Sequence, residues 1–212
     1  VLALASALAL LGPGLWAVPL LAMAVAMIAL RRIAAHDPPL LGRKLALLAL
    51  FLAVAFFTAG FSRWMAHDYL VRQQGRQFAE MWLQHILHGE IKHAHQLSLP
   101  PNRRELRVDE LDSIYASNPL LDEELAGFVH LPGAEVLLPF DATAQAQFRH
   151  VIRQERDGDE DFVWLVYDVT NPSNPKQTVS VVVCCQRKAG EATGWMVFEA
   201  VPLEMYEKSR TK

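Results

Sequence analysis

Apolar residues fill the opening 61 positions of the chain in two long runs. The second run, LALLALFLAVAFFTAGF at residues 45–61, contains no charged side chain. A helix needs about 20 apolar residues to cross a hydrocarbon core about 30 Å thick. Soluble helices of this length nearly always carry a polar face. The pattern therefore predicts a membrane span at about 45–61, in preference to a buried core helix.

The first run, residues 1–30, is also free of charge. Glycine and proline interrupt it at Gly12, Pro13, Gly14 and Pro19. Local backbone adjustment makes such residues tolerable in lipid, so we predict a kinked span at about 10–30. A cleaved signal peptide is the alternative, but its basic residues would precede the apolar stretch, and here they follow it. The sequence begins with Val1 rather than Met, so we also allow for a further span upstream.

Helical periodicity continues beyond the second span. Phe78, Trp82 and Ile86 recur every four residues, which predicts an amphipathic helix over about 63–88, either continuous with the span or bent near Gly75. EIKHAHQL predicts a short second helix, which the two prolines that follow it end. One or two further helices are expected at 103–130, broken at Asn118-Pro119, and then a short strand or connector at 136–139.

From Gln145 onward the hydrophobic period changes to two, which is typical of β-strands. Asp157-Gly158 is a hairpin turn signal, and the residues from Phe162 are rich in aromatic and β-branched side chains. Four strands are predicted, at 146–156, from Phe162 onward, at 178–187 and at 194–201.

This order of elements predicts a transmembrane α-helical hairpin followed by an α+β domain, whose N-terminal helices pack on a curved four-stranded antiparallel sheet. We place the hairpin at 1–61, a juxtamembrane helix or linker at 62–77 and the soluble domain at 78–212. Large aromatic side chains dominate the cores of small domains. We expect that core to contain Trp82, Trp164, Trp195 and Phe198.

Basic residues set the expected orientation, because basic loops stay in the cytoplasm. The short loop carries four basic residues and the stretch after the second span carries Arg63, Arg72 and Arg76, so we predict that both ends of the hairpin lie outside. The predicted membrane-interface anchors are Arg31, Arg32, Arg43, Lys44, Arg63 and Trp64. The net charge of −3 gives no reason to expect a nucleic-acid partner.

Two segments resemble known families. The pattern IALRRI followed by PPLLGRKLALLAL resembles a bacterial two-helix membrane domain of unknown function, over about residues 1–61. AEMWLQHILHGEIKHAHQLSLPP, residues 79–101, resembles the opening of the nuclear transport factor 2-like (cystatin-like) superfamily, in which a helix ends in Gly-Asp or Gly-Glu before a second short helix. The first resemblance implies a multi-pass protein of a bacterial inner membrane and carries no activity over to this chain. The basic residues of the loop place the soluble domain outside the cytoplasm.

The second resemblance implies a cone-shaped sheet with a pocket between sheet and helix. Members use this fold for isomerase chemistry, for ligand binding or for pairing of subunits, so a homodimer through the open sheet face is also expected. Catalysis of the isomerase type would need a carboxylate inside the cone. The candidate pocket residues are Asp168, Asp141 and Tyr115.

Metal-binding patterns are incomplete. His85 and His88 are one helical step apart and are the candidate metal ligands, but a third ligand would have to come from elsewhere, so we predict no metal or cofactor. The acidic run Asp157, Asp159, Glu160 and Asp161 has calcium-loop spacing. Phe162 stands where the calcium loop requires glycine, so we interpret this run as a solvated hairpin turn.

No motif of a nucleophilic serine, a phosphate-binding loop or a zinc protease occurs in the sequence. We therefore predict a membrane-anchored domain without catalytic activity, which contacts the lipid bilayer and binds a partner protein, an envelope component or a small ligand. The alternative is a small-molecule enzyme, of an isomerase or hydrolase type, that uses a carboxylate in a cone-shaped pocket.

Overall fold

The computed structural model describes residues 5–10, 13–35, 42–105, 107–188 and 194–211. It contains two compact units, Val1–Leu70 and Val71–Lys212. The second unit begins within the segment predicted as a linker, because Val71 is fully buried in its core. Asp37, in the predicted cytoplasmic loop, and most of the turn between the last two predicted strands lie outside the described residues.

The first unit contains two short 3₁₀ turns, Ser6–Leu10 and Pro13–Leu15, and then helix α1, Ala17–Ala34. Helix α2, Arg43–Leu87, begins in this unit and continues into the second. Pro19 lies in the first turn of α1, where its missing N–H costs no intrahelical hydrogen bond. Both α1 and α2 are long and apolar enough to cross a membrane.

Aromatic rings connect the two helices of the first unit. The Trp16 ring lies 6.3 Å from that of Phe57, 5.7 Å from that of Phe61 and 5.5 Å from that of Trp64, as measured between centroids. All three contacts are edge-on, which is a favoured geometry for aromatic pairs. The three partners in α2 are three or four residues apart, so they form one face of that helix.

Small residues fill the interior of the first unit, and large ones lie on its outside. Ala22, Ala26 and Ala53 are buried, whereas Leu21 is 61 % exposed and Phe51 is 68 % exposed. A soluble protein buries such large apolar side chains preferentially. Membrane helices show a similar distribution, since they pack through small residues and direct large ones toward lipid.

The second unit begins with the end of α2 and then has four short helices before its sheet. These are α3 Ile91–Ser98, α4 Leu111–Ser117, α5 Pro119–Val129 and α6 Pro132–Leu137. Asn118 caps α5, because its side-chain oxygen accepts from the backbone N–H groups of Leu120 and Leu121. The expected strand or connector at 136–139 was wrong, since Pro132 begins a helix that includes Val136.

Four antiparallel strands follow in the order β1-β2-β3-β4. They are β1 Gln145–Asp157, β2 Glu160–Asn171, β3 Asn174–Lys188 and β4 Met196–Pro202. A final helix that the sequence patterns did not predict, α7 Leu203–Arg210, ends the unit. The predicted α+β class with a four-stranded antiparallel sheet is confirmed, and Gly158 makes the predicted turn with a φ of 60°.

One face of the sheet packs against the helices and forms the core. Val163, Leu165 and Tyr167 alternate along β2 toward this inner face, and Trp82 and Leu83 of α2 pack in the same core cluster. All five side chains are at most 1 % exposed. A smaller apolar cluster joins the end of α3 to α4 and α5 through Leu99, Leu111, Tyr115 and Leu121.

Helix α6 approaches β4 so closely that only glycine fits at position 133. A Cβ atom there would lie 2.4 Å from the carbonyl oxygen of Ala200. We expect Gly133→Ala to lower the free energy of unfolding by about 1–3 kcal/mol, because backbone would have to move.

Gly127→Ala in α5 is the matched control, since a Cβ atom there meets nothing within 4 Å. Alanine favours a helix, so this variant should raise the free energy of unfolding by up to about 1 kcal/mol. Chemical denaturation of the full chain in detergent, followed by circular dichroism, measures both. Equal effects of the two substitutions would contradict the close approach.

Candidate functional site

Packed side chains occupy the interior that the predicted pocket would need. Trp82 and Phe128 contact edge-on there, with ring centroids 6.3 Å apart. The Tyr167 hydroxyl donates to the carbonyl oxygen of Arg76 at 3.1 Å. Burial raises the pKa of Tyr167 far above its ordinary value, so the phenol stays protonated. This part of the core stabilises the fold and presents no reactive group.

Asp168 lies on the outer face of the sheet, away from that interior. The Ser180 hydroxyl donates to its carboxylate at 2.6 Å, and the Arg149 Nε atom lies 3.2 Å from its other oxygen. Successive residues of a strand point to opposite faces, so the buried position of Tyr167 excludes an inward Asp168. The carboxylate is held as an ion pair on the surface.

Asp141 precedes β1 in an exposed turn. The backbone N–H of Thr143 donates to its carboxylate at 2.9 Å, and the Asn171 amide donates at 3.1 Å. These hydrogen bonds, with that from the Thr143 hydroxyl, lower the pKa of Asp141, which favours the ionised form. A general base with a raised pKa is therefore not found at this position.

Tyr115 belongs to a buried polar network among the helices. Its hydroxyl is 2.6 Å from His95 Nδ1 and accepts from the Gln96 amide at 2.9 Å. The Gln96 carbonyl oxygen in turn accepts from the backbone N–H of Glu105 at 2.8 Å. Burial lowers the pKa of His95 and raises that of Tyr115, so both are neutral and the phenol donates to the imidazole. The three predicted pocket residues thus lie in three separate places.

The outer face of the sheet presents three aromatic rings, which we call the outer aromatic cluster: Phe162, Trp164 and Phe198. The Phe162 ring lies 5.8 Å from each of the other two. Phe198 is the extra residue of a bulge between Val197 and Glu199, and it is 57 % exposed. The expectation that Trp164 and Phe198 are core residues was wrong, because both lie on the face opposite the helices.

Charges of both signs surround the outer aromatic cluster. The Arg153 guanidinium lies 5.0 Å from the centre of the Trp164 ring, and Arg149 pairs with Asp168 further along the face. Glu199 of β4 is exposed beside the bulge. This face therefore combines an apolar centre with a mixed polar surround, which is typical of protein interfaces.

The acidic run is divided between solvent and core. Asp157 and Asp159 lie exposed at the turn, as predicted, but Asp161 is buried. Its carboxylate is 3.2 Å from Arg187 Nε, and Arg187 Nη1 donates to the Gln74 side chain at 2.5 Å. The interpretation of the whole run as solvated was wrong for Asp161, because the alternation of β2 turns it inward.

A cluster of two histidines and a glutamate forms at the turn between α2 and α3, which we call the turn cluster: His85, Glu90 and His93. One potential ligand atom from each lies within 4.8 Å of the others. His85 Nδ1 donates to Glu90 Oε2 at 2.6 Å, and the His85 and His93 rings stack with centroids 5.2 Å apart. The hydrogen bond from His85 lowers the pKa of Glu90.

His88, predicted as the partner of His85, does not join this group. It is exposed and lines a separate cleft of about 480 Å³ with Glu80 and Gln84. The backbone N–H of His88 still donates to the carbonyl oxygen of Gln84 at 2.9 Å, so helical spacing alone does not bring the two imidazoles together. Glu90 and His93 were missed, although Gly89 signals a helix end that returns the chain toward His85.

Comparisons with known proteins leave the fold and the site to be interpreted from the structure itself. No family model, no curated protein and no solved structure matches this chain. The likenesses to a two-helix membrane domain and to the nuclear transport factor 2-like superfamily therefore stay predictions from the sequence.

The buried His95 makes stability depend on pH. The unfolded chain binds a proton on this imidazole near pH 6.5, whereas burial lowers the pKa of His95 in the fold. The unfolded state then binds more protons, so we expect the free energy of unfolding to fall by about 1 kcal/mol between pH 7 and pH 5.5. His95→Gln should remove this dependence.

His130→Gln is the control, because His130 is exposed at the end of α5. Denaturation at both pH values measures the difference. The same slope in His95→Gln as in the native protein would show that another group is responsible.

Proposed function

We propose that this protein is a membrane-anchored, non-enzymatic binding domain, whose outer sheet face binds a second copy of the chain. The observation that carries the proposal is the outer aromatic cluster, which lies on the sheet face opposite α2. The proposal has two independent halves. Membrane anchoring rests on the apolar helices of the first unit, and self-association rests on the aromatic face of the second.

Membrane anchoring is supported by what the first unit exposes. Leu45 at 72 % exposure and Phe51 at 68 % are examples of large side chains that would cost free energy in water. Each side chain of this size that is fully exposed to water loses about 1.5–3 kcal/mol of the stabilising free energy that burial would give. Lipid removes that cost. The Thr58 hydroxyl donates to the carbonyl oxygens of Val54 and Ala55 at 3.0 Å, so it needs no water.

The proposed orientation places the turn between the helices in the cytoplasm of a bacterial cell and the α+β unit outside it. Arg31 and Arg43 line one cleft of about 550 Å³ at this end of the first unit. By the positive-inside rule, basic residues such as these stay on the cytoplasmic side of the membrane. Trp64, 41 % exposed near the other end, fits the aromatic belt at the opposite surface.

A protein partner suits the outer aromatic cluster better than a small molecule does. Aromatic residues and arginine are the side chains that most often dominate binding energy at protein interfaces. Phe198 projects from a bulge and Arg153 lies over Trp164, so the surface offers anchors and not an enclosed cavity. Exposed aromatic groups of this kind mark contact sites on proteins.

A second copy is the favoured partner because the face carries both signs of charge. A two-fold interface brings one patch against itself, so arginine on one chain must meet a carboxylate on the other. Arg153, which also pairs with Glu155 of its own strand, and Glu199 lie beside the cluster and supply the two signs. Tethering in one bilayer also raises the effective concentration of the chains.

The enzyme alternative requires a carboxylate in a cone-shaped pocket, and its three candidate residues are not brought together. Asp168, Asp141 and Tyr115 occupy an outer face, a turn and a helix cluster, and each is engaged by neighbouring side chains. General acid–base catalysis requires its groups within hydrogen-bond reach of one substrate. The binding function is therefore the one that the geometry favours.

The anchoring and orientation are tested by cysteine labelling in a bacterial host. We expect the protein to stay with membranes after alkaline extraction and to dissolve in detergent. A membrane-impermeant maleimide should label Asp159→Cys in spheroplasts, and Ala35→Cys only after permeabilisation. Native Cys184 and Cys185 are buried and should not react, so the unmodified chain is the control. The reverse labelling pattern, or a protein found in the soluble fraction, would contradict the proposal.

Self-association is tested by sedimentation equilibrium of the full chain in density-matched detergent. Phe198→Glu should weaken the dimer by about tenfold or more, since it places a charge at the apolar centre. Leu120→Glu is the control, because Leu120 is 71 % exposed on α5, away from the sheet. Circular dichroism checks that both variants fold. A native chain that is monomeric at about 100 μM, or equal effects of both substitutions, would overturn the second copy as partner.

A further inference from the structure

The turn cluster brings together side chains that transition metals bind. Imidazole nitrogens and a carboxylate oxygen are the ligand set that holds zinc where a coordination position is left open to solvent. We propose that His85, Glu90 and His93 bind one divalent transition metal ion, with zinc as the expected ion, and leave one coordination position open. The inference does not depend on the proposed binding function of the sheet face.

Backbone geometry holds two of the three ligands together. The N–H of Gly89 donates to the carbonyl oxygen of Ile86 at 3.0 Å, and that of Glu90 donates to the carbonyl oxygen of His85 at 2.8 Å. This hydrogen-bond pair is the Schellman motif, in which the residue after the glycine returns beside the last turn of the helix. Gly89 has a φ of 76°, which glycine adopts without strain.

Helix α3 then supplies the third ligand. His93 follows Glu90 by three residues, so the two side chains lie on one face at the start of this helix. Its ring stacks on that of His85 with an angle of 15° between the planes. Both histidines thus approach the Glu90 carboxylate from neighbouring helices, and the chain itself fixes the arrangement.

The distances suit one ion once an imidazole rotates out of the stack, because a metal lies in the plane of the ring that binds it. Ligands of one tetrahedral zinc ion lie about 3.3 Å apart when each bond is about 2.0–2.2 Å long. The present separations run from the 2.6 Å hydrogen bond between His85 and Glu90 to no more than 4.8 Å across the set. Glu90 is exposed and both histidines are half-buried, so their side chains can rotate without disturbing the core. The metal takes the place of the proton between His85 Nδ1 and Glu90, and the neutral imidazole then carries its proton on Nε2.

Access and charge also suit an ion. Glu90 and His93 line an open cleft of about 620 Å³, so the vacant coordination position faces solvent. Lys92 lies beside them in sequence, but its ammonium pairs with Asp112 at 2.5 Å, which offsets its repulsion of a cation. Imidazole favours zinc and its neighbours over magnesium and calcium, which prefer oxygen ligands.

Calorimetric titration of the full-length chain, without a histidine tag and after chelator treatment, tests the site in detergent. We expect one zinc ion per chain with a dissociation constant at or below about 10 μM, and no binding of magnesium. His93→Ala and Glu90→Gln should each weaken the affinity by about tenfold or more. His88→Ala is the matched control, since it removes an exposed histidine of the same segment and should change the affinity less than about twofold.

X-ray absorption of the zinc-loaded protein gives a second readout, and it should show a nitrogen and oxygen first shell that loses an imidazole in His93→Ala. Glu90→Gln preserves shape, so it keeps the test informative if the alanine variant unfolds. Binding weaker than about 100 μM, or loss of affinity in His88→Ala equal to that in His93→Ala, would overturn the proposal.

Discussion

The packing of α2 against the inner face of the sheet is the constraint on which the second unit depends. Trp82 and Leu83 of the helix and Leu165 and Tyr167 of β2 leave almost no surface exposed between them. Burial of such large side chains supplies most of the folding free energy of a small domain. Because this interior is filled, the proposed binding sites lie elsewhere, on the outer sheet face and at the turn after α2.

Periodicity was sufficient to predict the α+β class, since strands and helices differ in the repeat of their apolar residues. Periodicity gave wrong predictions where a single residue changes the strand register or the direction of a side chain. Phe198 leaves the core because a bulge separates Val197 from Glu199, and no sequence signal marks that bulge. Aspartate is usually a surface residue, yet the alternation of side chains along β2 turns Asp161 toward Arg187. Such positions are decided by tertiary pairing.

The candidate sites show the same limit. Residue types alone suggested His85 with His88, because an ideal helix places them on neighbouring turns. His88 keeps its helical hydrogen bond but does not join His85, and Gly89 redirects the chain so that Glu90 and His93 lie beside His85 instead. Asp141 and Tyr115 were reasonable candidates by chemistry, but each is already engaged in hydrogen bonds that stabilise its own turn or helix. Only the local hydrogen bonds distinguish these roles.

The glycine turn after α2 has a wider consequence. Its shape comes from backbone hydrogen bonds and a left-handed glycine, not from the side chains that it gathers. The side chains at positions 85, 90 and 93 can therefore be exchanged while the backbone conformation of the turn is kept. If the same short stretch were grafted between two helices of an unrelated protein, it would again place three chosen side chains close together.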